Sequence, residues 1–371
     1  MRGAMYRAVE LGHVIAGPYA GLVLAHLGFE VIKIEPPSGD PTRYDDVMGD
    51  SIFVFLNRNK KSLALDLKKP EGRAIFLEIL RSSNVLIENL APGAMDRLGL
   101  DRDTLFKANG ELVYCSIKGY PTTGSRGSWP AFGTLIEATS GVMWANGNSR
   151  LPASITDMSA GLYCALTVLW ALLTKRPGYY EVSLFQTDVA WLGYYLVAYQ
   201  TLGKIFPGAG DRLPFWAPYE LFPTKDGYIY IAVANNNIWS RFCKTLKVSA
   251  CEDPKFATNE GRVANREELH RIIEEATKGY TTGELLELLL KNDVPAAPLN
   301  DIRTLISEGD ILWDFIASSD RKIAAPRLPL PGSLNGSRAP AVGENSIEIL
   351  KSLGVDDKKI SELIEKGVIR A

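Results

Sequence analysis

From Ala8 to Ile117 the chain alternates short apolar runs with segments of helical periodicity, and few folds can absorb that pattern. Ala8 to Leu11 reads as a strand. Pro18 opens a helix that runs to Leu27 and Gly28 closes it, the proline-first, glycine-last asymmetry that helix ends favour. Glu30 to Ile34 (EVIKI) is the next strand, which makes one βαβ unit with a right-handed crossover. The pattern recurs. Strand Ser62 to Leu67 precedes a helix from Pro70 to Arg81, with Ile75, Phe76, Ile79 and Leu80 at helical spacing. Strand Asn84 to Ile87, short helices at Met95 to Leu98 and Asp103 to Ala108, and strand Leu112 to Ile117 follow. This alternation predicts an α/β fold built on a doubly wound parallel sheet.

Further along, Asp157 to Thr174 is apolar on nearly all sides and is predicted to be a helix buried in the domain. Tyr180 to Leu184 reads as a strand and Gln186 to Leu202 as an aromatic-rich helix. Phe206 to Pro218, rich in glycine and proline, reads as a linker or functional loop. Beyond it, Asp226-Gly227 lies between apolar alternations from Tyr219 to Ala234, a hairpin signal. Helices at Ile238 to Lys247, Arg266 to Lys278 and Gly283 to Lys291 complete a smaller α/β domain. Arg321 to Ala339 is proline-rich and extended, and helices at Ser346 to Leu353 and Lys359 to Lys366 return to the first domain. The expected division is a large domain of 1–203 and 331–371, a linker or active-site loop at 204–218, a small domain at 219–320 and a second linker at 321–330.

Composition narrows the function classes. With 371 residues, 46% hydrophobic and 23% charged, the chain can bury a large core without covalent staples. A net charge of −2 argues against a dedicated nucleic-acid or membrane-surface binder. Cys115, Cys164, Cys243 and Cys251 form no CxxC pair, and the first three sit in apolar runs, which reads as buried free thiols in a reduced, cytoplasmic compartment. Met1 to Tyr6 lacks a signal-peptide core. Leu162 to Leu173 is shorter than the about 20 apolar residues a bilayer span takes. His13, His26 and His270 are not at metal-ligand spacing. No phosphate loop, dinucleotide fingerprint or GxSxG elbow is present.

Polar residues do cluster at the expected strand ends, where open parallel sheets bind ligands. They are His13 through Pro18, Glu35 through Arg43, Asn57 through Lys61, Glu88-Asn89, and Arg97. Arg43, Arg58, Lys60, Lys68 and Arg97 would suit a polyanion, though spacing alone favours solvated surface charge for each. Asp157 stands just before the apolar helix in Ser154-Ile155-Thr156-Asp157-Met158-Ser159-Ala160-Gly161. Local chemistry favours an N-cap role for it. The functional reading is a carboxylate kept ionised, and so nucleophilic, at a helix N-terminus.

Seven segments tip that balance: HVIAGPYAG (13–21), VIKIEPPSGDPTR (31–43), NRNKKSLALDLK (57–68), VLIENLAPGAMDRLGL (85–100), ITDMSAG (155–161), PYELFPTKDGYIYIAVAN (218–235) and VPAAPL (294–299). In this order they resemble the family III CoA-transferases, which include formyl-CoA transferase, carnitine CoA-transferase and alpha-methylacyl-CoA racemase. The resemblance implies a large Rossmann-like CoA-binding domain formed by both chain ends, a smaller inserted α/β domain, and an interlocked homodimer. It implies no permanently bound cofactor, with coenzyme A as substrate and product, and acyl-CoA and carboxylic acids as partners. It places Asp157 on the catalytic aspartate and Leu65, Lys68, Asn89, Leu90 and Arg97 on CoA contacts. Arg43 falls in the CoA-diphosphate region.

Departures from the family pattern bear on the reaction. The racemases need a histidine where this chain has Phe132, and phenylalanine exchanges no proton. No other histidine lies nearby in sequence. Gly133 replaces an acidic residue of many transferases, and Ile15 a glutamine of formyl-CoA transferase. A glycine-rich active-site loop has only Gly208-Ala209-Gly210 as counterpart. Glu137 replaces the usual glutamine and reads either as a carboxylate beside Asp157 or as a solvent-facing helix residue. Ile15, Phe132, Glu137, Gly208 and Gly210 are therefore candidate active-site lining. CoA transfer is the expected activity. Racemisation with Tyr120 or Glu137 as second acid–base group, and noncatalytic acyl-CoA binding, stay as alternatives.

Overall fold

A computed structural model describes residues 6–208, 210–318 and 321–371. Met1–Met5, most of the stretch read above for leader features, lie outside the described residues. The chain divides into two compact units. The first comprises Met1–Ser140, Leu151–Trp191 and Leu312–Ala371, and the second Gly141–Arg150 and Leu192–Ile311. The second unit thus takes in 192–203, 204–218 and a short piece of the first half, all placed elsewhere by the sequence.

The first unit is built on β1 (Arg7–Leu11), β2 (Glu30–Glu35), β3 (Lys61–Leu65), β4 (Val85–Glu88), β5 (Val113–Lys118) and β6 (Gly178–Ser183). They pair side by side in the order β3-β2-β1-β4-β5-β6, all parallel, and Ile369–Arg370 adds an antiparallel edge to β3. The chain returns to the sheet from both ends for a physical reason: alternate strand residues face opposite layers. Ala8, Val31, Val85 and Cys115 pack under the helices Ala16–His26 and Ile155–Leu173. Val9, Ile32, Leu63 and Leu86 pack under Pro70–Arg81 and the terminal helices Ser346–Ser352 and Asp357–Glu365. Burial on both faces explains the near-continuous apolar strands. The order reverses between β1 and β4, which opens a crevice at their carboxyl ends.

Several expectations change. Ile155–Leu173 is not buried all round. Thr156, Ala160, Gly161, Cys164, Ala165, Val168 and Ala171 face the domain, whereas Leu162, Tyr163, Leu166, Trp170 and Leu173 are exposed. By length and composition alone this 19-residue helix could cross a membrane, although its inner face packs on the sheet. The single helix expected over 186–202 is two, Leu184–Trp191 and Gly193–Leu202, broken at Leu192. Trp313–Ser318 and Arg321–Pro326 form an antiparallel hairpin, the first half of which the sequence reading missed.

The second unit holds β7 (Tyr219–Pro223), β8 (Tyr228–Ala232) and β9 (Ala296–Pro298) as an antiparallel sheet. Helices Asn236–Leu246, Arg266–Thr277 and Thr282–Lys291 cover it over a core that includes Phe222, Ile231, Phe242, Leu269 and Leu285. The last helix starts with a reciprocal Thr281–Glu284 capping box. Cys243 is not a free thiol. It forms a disulfide with Cys251, their Cα atoms 5.4 Å apart, while Cys115 and Cys164 remain buried and free. Spacing concealed this pair because the chain reverses at Lys247, which takes a positive φ at the helix end. The premise for a reduced compartment fails for that pair.

Candidate active site

At the reversal between β1 and β4 the two strand ends are tied together. The Asn89 side chain accepts from the His13 backbone N–H and donates to the His13 carbonyl, both at 2.9 Å. Val14, a β-branched residue, is held at φ 63° in the turn that follows, a conformation retained only where its surroundings enforce it. This clamp sets His13, Val14, Ile15 and Ala16 along one wall of a cavity of about 290 Å3. Asn89, Leu90, Lys118, Trp129, Phe132, Asp157 and Leu184 are among the residues on its other walls.

Asp157 reaches this cavity through helix packing. Gly161 lies one turn further along the same face. A Cβ on it would meet the Ala16 carbonyl oxygen at 2.6 Å, so only glycine lets the two helices approach this closely. Asp157 is thereby carried to the level of Ile15 and Ala16. It is not the N-cap: that position is Ser154, in the left-handed region and without a capping bond, and Asp157 sits within the first turn. Its carboxylate lies against Gly133, where a Cβ would meet Oδ2 at 2.1 Å. An acidic side chain at 133 has no room beside this carboxylate.

Burial pushes the Asp157 carboxyl up to about 6; its own backbone N–H opposes this, and the charges of Glu137 and Asp188 add to it. Glu137 is not solvent-facing. It is 1% exposed, and its Oε2 accepts from the Leu151 backbone N–H at 2.8 Å. Asp188, which the sequence did not single out, accepts from Thr156 Oγ1 at 2.9 Å and Ser140 Oγ at 3.0 Å. Burial raises its carboxyl as well, against those two hydrogen bonds.

The remaining candidates separate. Asn89, Leu90, Ile15 and Phe132 line the Asp157 cavity, with Phe132 71% exposed. Arg97 and Lys68 are exposed cations, and Arg97 Nη1 donates to the Pro92 carbonyl at 3.4 Å. Arg43 is committed to a two-point contact with Glu35, at 2.6 and 2.9 Å, and stacks on Phe53. The Leu65 side chain is core, which leaves only its backbone to meet a ligand. Arg58 and Lys60 are fully buried and serve the interior. Tyr120 is buried, with its hydroxyl 3.0 Å from Thr139 Oγ1. Gly208 belongs to the second unit, where a Cβ would meet the Gly147 amide at 2.3 Å; Gly210 lies there too, and Ala209 is outside the described residues.

Among the ionisable cavity residues, His13 and Lys118 were given no site role by the sequence reading. His13 was visible at a strand end but far from Phe132 in sequence. Burial, with help from the Lys33 charge, holds its imidazole below the ordinary value against Asp40 and Glu88, so it is neutral at pH 7. Lys118 ends β5 and gives its ammonium to both Glu88 oxygens, at 2.8 and 2.9 Å, and to the Leu90 carbonyl. Its position as a polar residue at a strand end was the available signal.

Fold and site together define a doubly wound α/β protein whose half-buried Asp157 carboxylate faces a cavity at the switch point of the sheet. The chain belongs to CoA-transferase family III, whose model matches residues 5–341. It is 35% identical over 309 residues to an acetyl-CoA:oxalate CoA-transferase of Acetobacter aceti, with 79% of each chain covered. It is 30% identical over 388 residues to a human succinyl-CoA:glutarate CoA-transferase, covering 98% of this chain and 89% of that one. Among solved structures, a CAIB/BAIF family protein from Brucella suis superposes with a TM-score of 0.82 at 30% identity, over 95% of this chain and 99% of that one.

Proposed function

We propose that this protein moves CoA between an acyl-CoA thioester and a carboxylic acid through covalent intermediates on Asp157. The observation that carries the reading is the Asp157 carboxylate on the cavity wall, with no side chain among the described residues hydrogen-bonded to it. A carboxylate so placed can attack a thioester carbonyl. The products are a mixed anhydride and CoA thiolate. The thiolate then attacks the aspartyl carbonyl, releasing the donor acid and leaving an aspartyl-CoA thioester. An acceptor carboxylate repeats the first exchange, and the thiolate takes the new acyl group and frees Asp157. Covalent catalysis splits one difficult transfer into easier steps.

CoA would lie along the β4 end, against Asn89 and Leu90, with the exposed Lys68 and Arg97 as phosphate partners. Arg43 would serve only on release from Glu35. The names of the relatives suggest acetyl or succinyl donors and dicarboxylate acceptors such as oxalate or glutarate. The bare apolar faces of Ile155–Leu173 in the first unit and Gly193–Leu202 in the second support a homodimer that covers them.

A second reading, acyl-CoA racemisation, draws on His13, which shares the cavity with Asp157. Phe132 has no exchangeable proton, and the Tyr120 hydroxyl and a Glu137 oxygen are already engaged. One experiment separates the two. The protein is incubated with acetyl-CoA or succinyl-CoA and a panel of dicarboxylates, and new thioesters are sought by mass spectrometry. A chiral 2-methylacyl-CoA in deuterated water runs in parallel. Transfer without deuterium uptake supports the first reading, and uptake without transfer overturns it. Sedimentation as a monomer at micromolar concentration would overturn the dimer.

A further inference from the structure

Two further carboxylates, Glu137 and Asp188, act on Asp157, and no cation among the described residues is paired with any of the three. Glu137 and Asp188 are 1% exposed, and their donors among the described residues are neutral: the Leu151 amide, the Thr156 hydroxyl and the Ser140 hydroxyl. Among the described residues none of the three takes part in an ion pair. Of the ionisable groups on neighbouring elements, the Lys118 ammonium is taken by Glu88. His13 is neutral, Tyr19 is held in its neutral form by burial, and Glu181 is bound by Thr122 and Tyr179. Asp157 itself is packed against bare backbone at Gly133. Gly133 and Glu137 are four residues apart in the helix Gly133–Ser140, so one face of that helix presents first a space and then a negative charge.

We propose that Glu137 and Asp188 are positioning residues whose uncompensated charge drives the negative charge of Asp157 onto the departing CoA sulfur. The inference rests on the transfer reading above. In the acylation step the Asp157 oxygen forms a bond to the acyl carbon and the carbon–sulfur bond breaks. The electron pair of that bond leaves on sulfur. Asp157 enters the step as an anion and ends it neutral. Repulsion from two buried carboxylates raises the energy of the anion and is released as the anhydride forms. Donors that were cationic would do the opposite, which is why amide and hydroxyl donors suit Glu137 and Asp188 here.

Glu137→Gln and Asp188→Asn remove the charges while keeping oxygen acceptors for the same donors. The Asp157 carboxyl is followed by 13C NMR on aspartate-labelled protein, its signal identified by loss in Asp157→Asn. Each neutral variant is expected to lower its titration midpoint by about half a pH unit, since burial is the larger cause. At pH 8 kcat for transfer should drop about threefold with KM for acyl-CoA unchanged. Glu137→Asp should restore most of the rate. A midpoint unmoved in both variants of a working enzyme overturns the cluster, as does a midpoint that falls with no change in kcat. If the wild-type protein moves no CoA between any pair, the transfer reading falls and takes the rate arm with it.

Discussion

Two groups of buried charges sit at the carboxyl end of the same sheet. One joins Glu10, Lys33, Asp40 and Lys60. Glu10 meets Lys60 at 2.6 Å and Lys33 at 3.2 Å, Lys33 meets Asp40 at 3.0 Å, and the carbonyls of Gly12 and Pro18 and the Asn57 side-chain oxygen take the remaining ammonium protons. The other gathers Asp157, Glu137 and Asp188, with no cation paired to them among the described residues. Both press a carboxylate against a glycine: a Cβ at Gly21 would meet Glu10 Oε2 at 1.9 Å, and one at Gly133 would meet Asp157 Oδ2 at 2.1 Å. Similar sterics thus surround opposite electrostatics. Within the first group the carboxylates of Glu10 and Asp40 outweigh burial and hold Lys33 above its ordinary pKa, while burial draws Lys60 down to about 8. A balanced network of this kind fixes the β1 and β2 ends in place. The unbalanced one keeps a reactive group in a state it can leave.

The largest expected break in the comparison is Asp157→Ala, which should lower transfer by at least about a thousandfold while CoA still binds, measured by turnover and calorimetry. Transfer at the parent rate would show that Asp157 is not the nucleophile. Next comes Glu10→Gln, which leaves two buried ammonium groups short of a partner. It should destabilise the fold by about 3–5 kcal/mol in urea melts, with activity falling only as the folded fraction falls. The paired glycines sharpen the contrast: Gly21→Ala should act on stability, as Glu10→Gln does, and Gly133→Ala chiefly on kcat. Equal stability losses in the two would erase the distinction.

The smallest effects concern pH. Only ionised Asp157 attacks, so transfer should rise with pH and reach half its plateau near 6, the value to which burial has raised this carboxyl. A flat profile between pH 5 and 7 would contradict the assignment. Stability runs the other way. Because the folded pKa exceeds the unfolded one, the folded protein binds the extra proton. The contribution is present below about pH 4 and is lost as pH rises through 6. Asp157→Asn should therefore raise the melting temperature at pH 8 and leave it nearly unchanged at pH 4.

Much of this was legible early. Pro70–Arg81 matches its predicted helix at both ends, because Pro70 and the spacing of Phe76, Ile79 and Leu80 are local signals. The hairpin at Asp226-Gly227 also formed as expected. The break at Leu192 had one local signal, the poor helix former Gly193 that follows it, and the aromatic run on both sides masked it. The buried state of Glu137 was not legible, because one carboxylate on a short helix looks the same whether it meets water or the Leu151 amide.

What the sequence determined by itself was the alternation that forces a parallel sheet, and the apolar strands that bury both faces of it. These follow from periodicity, which acts over a few residues. It also marked Asp157 through the segments around it. The tertiary structure decided what Asp157 is next to. Gly133, Glu137, Asp188 and His13 come from separate elements and meet only through packing. Whether a buried carboxylate is balanced depends on distance in space, and no local pattern encodes that distance.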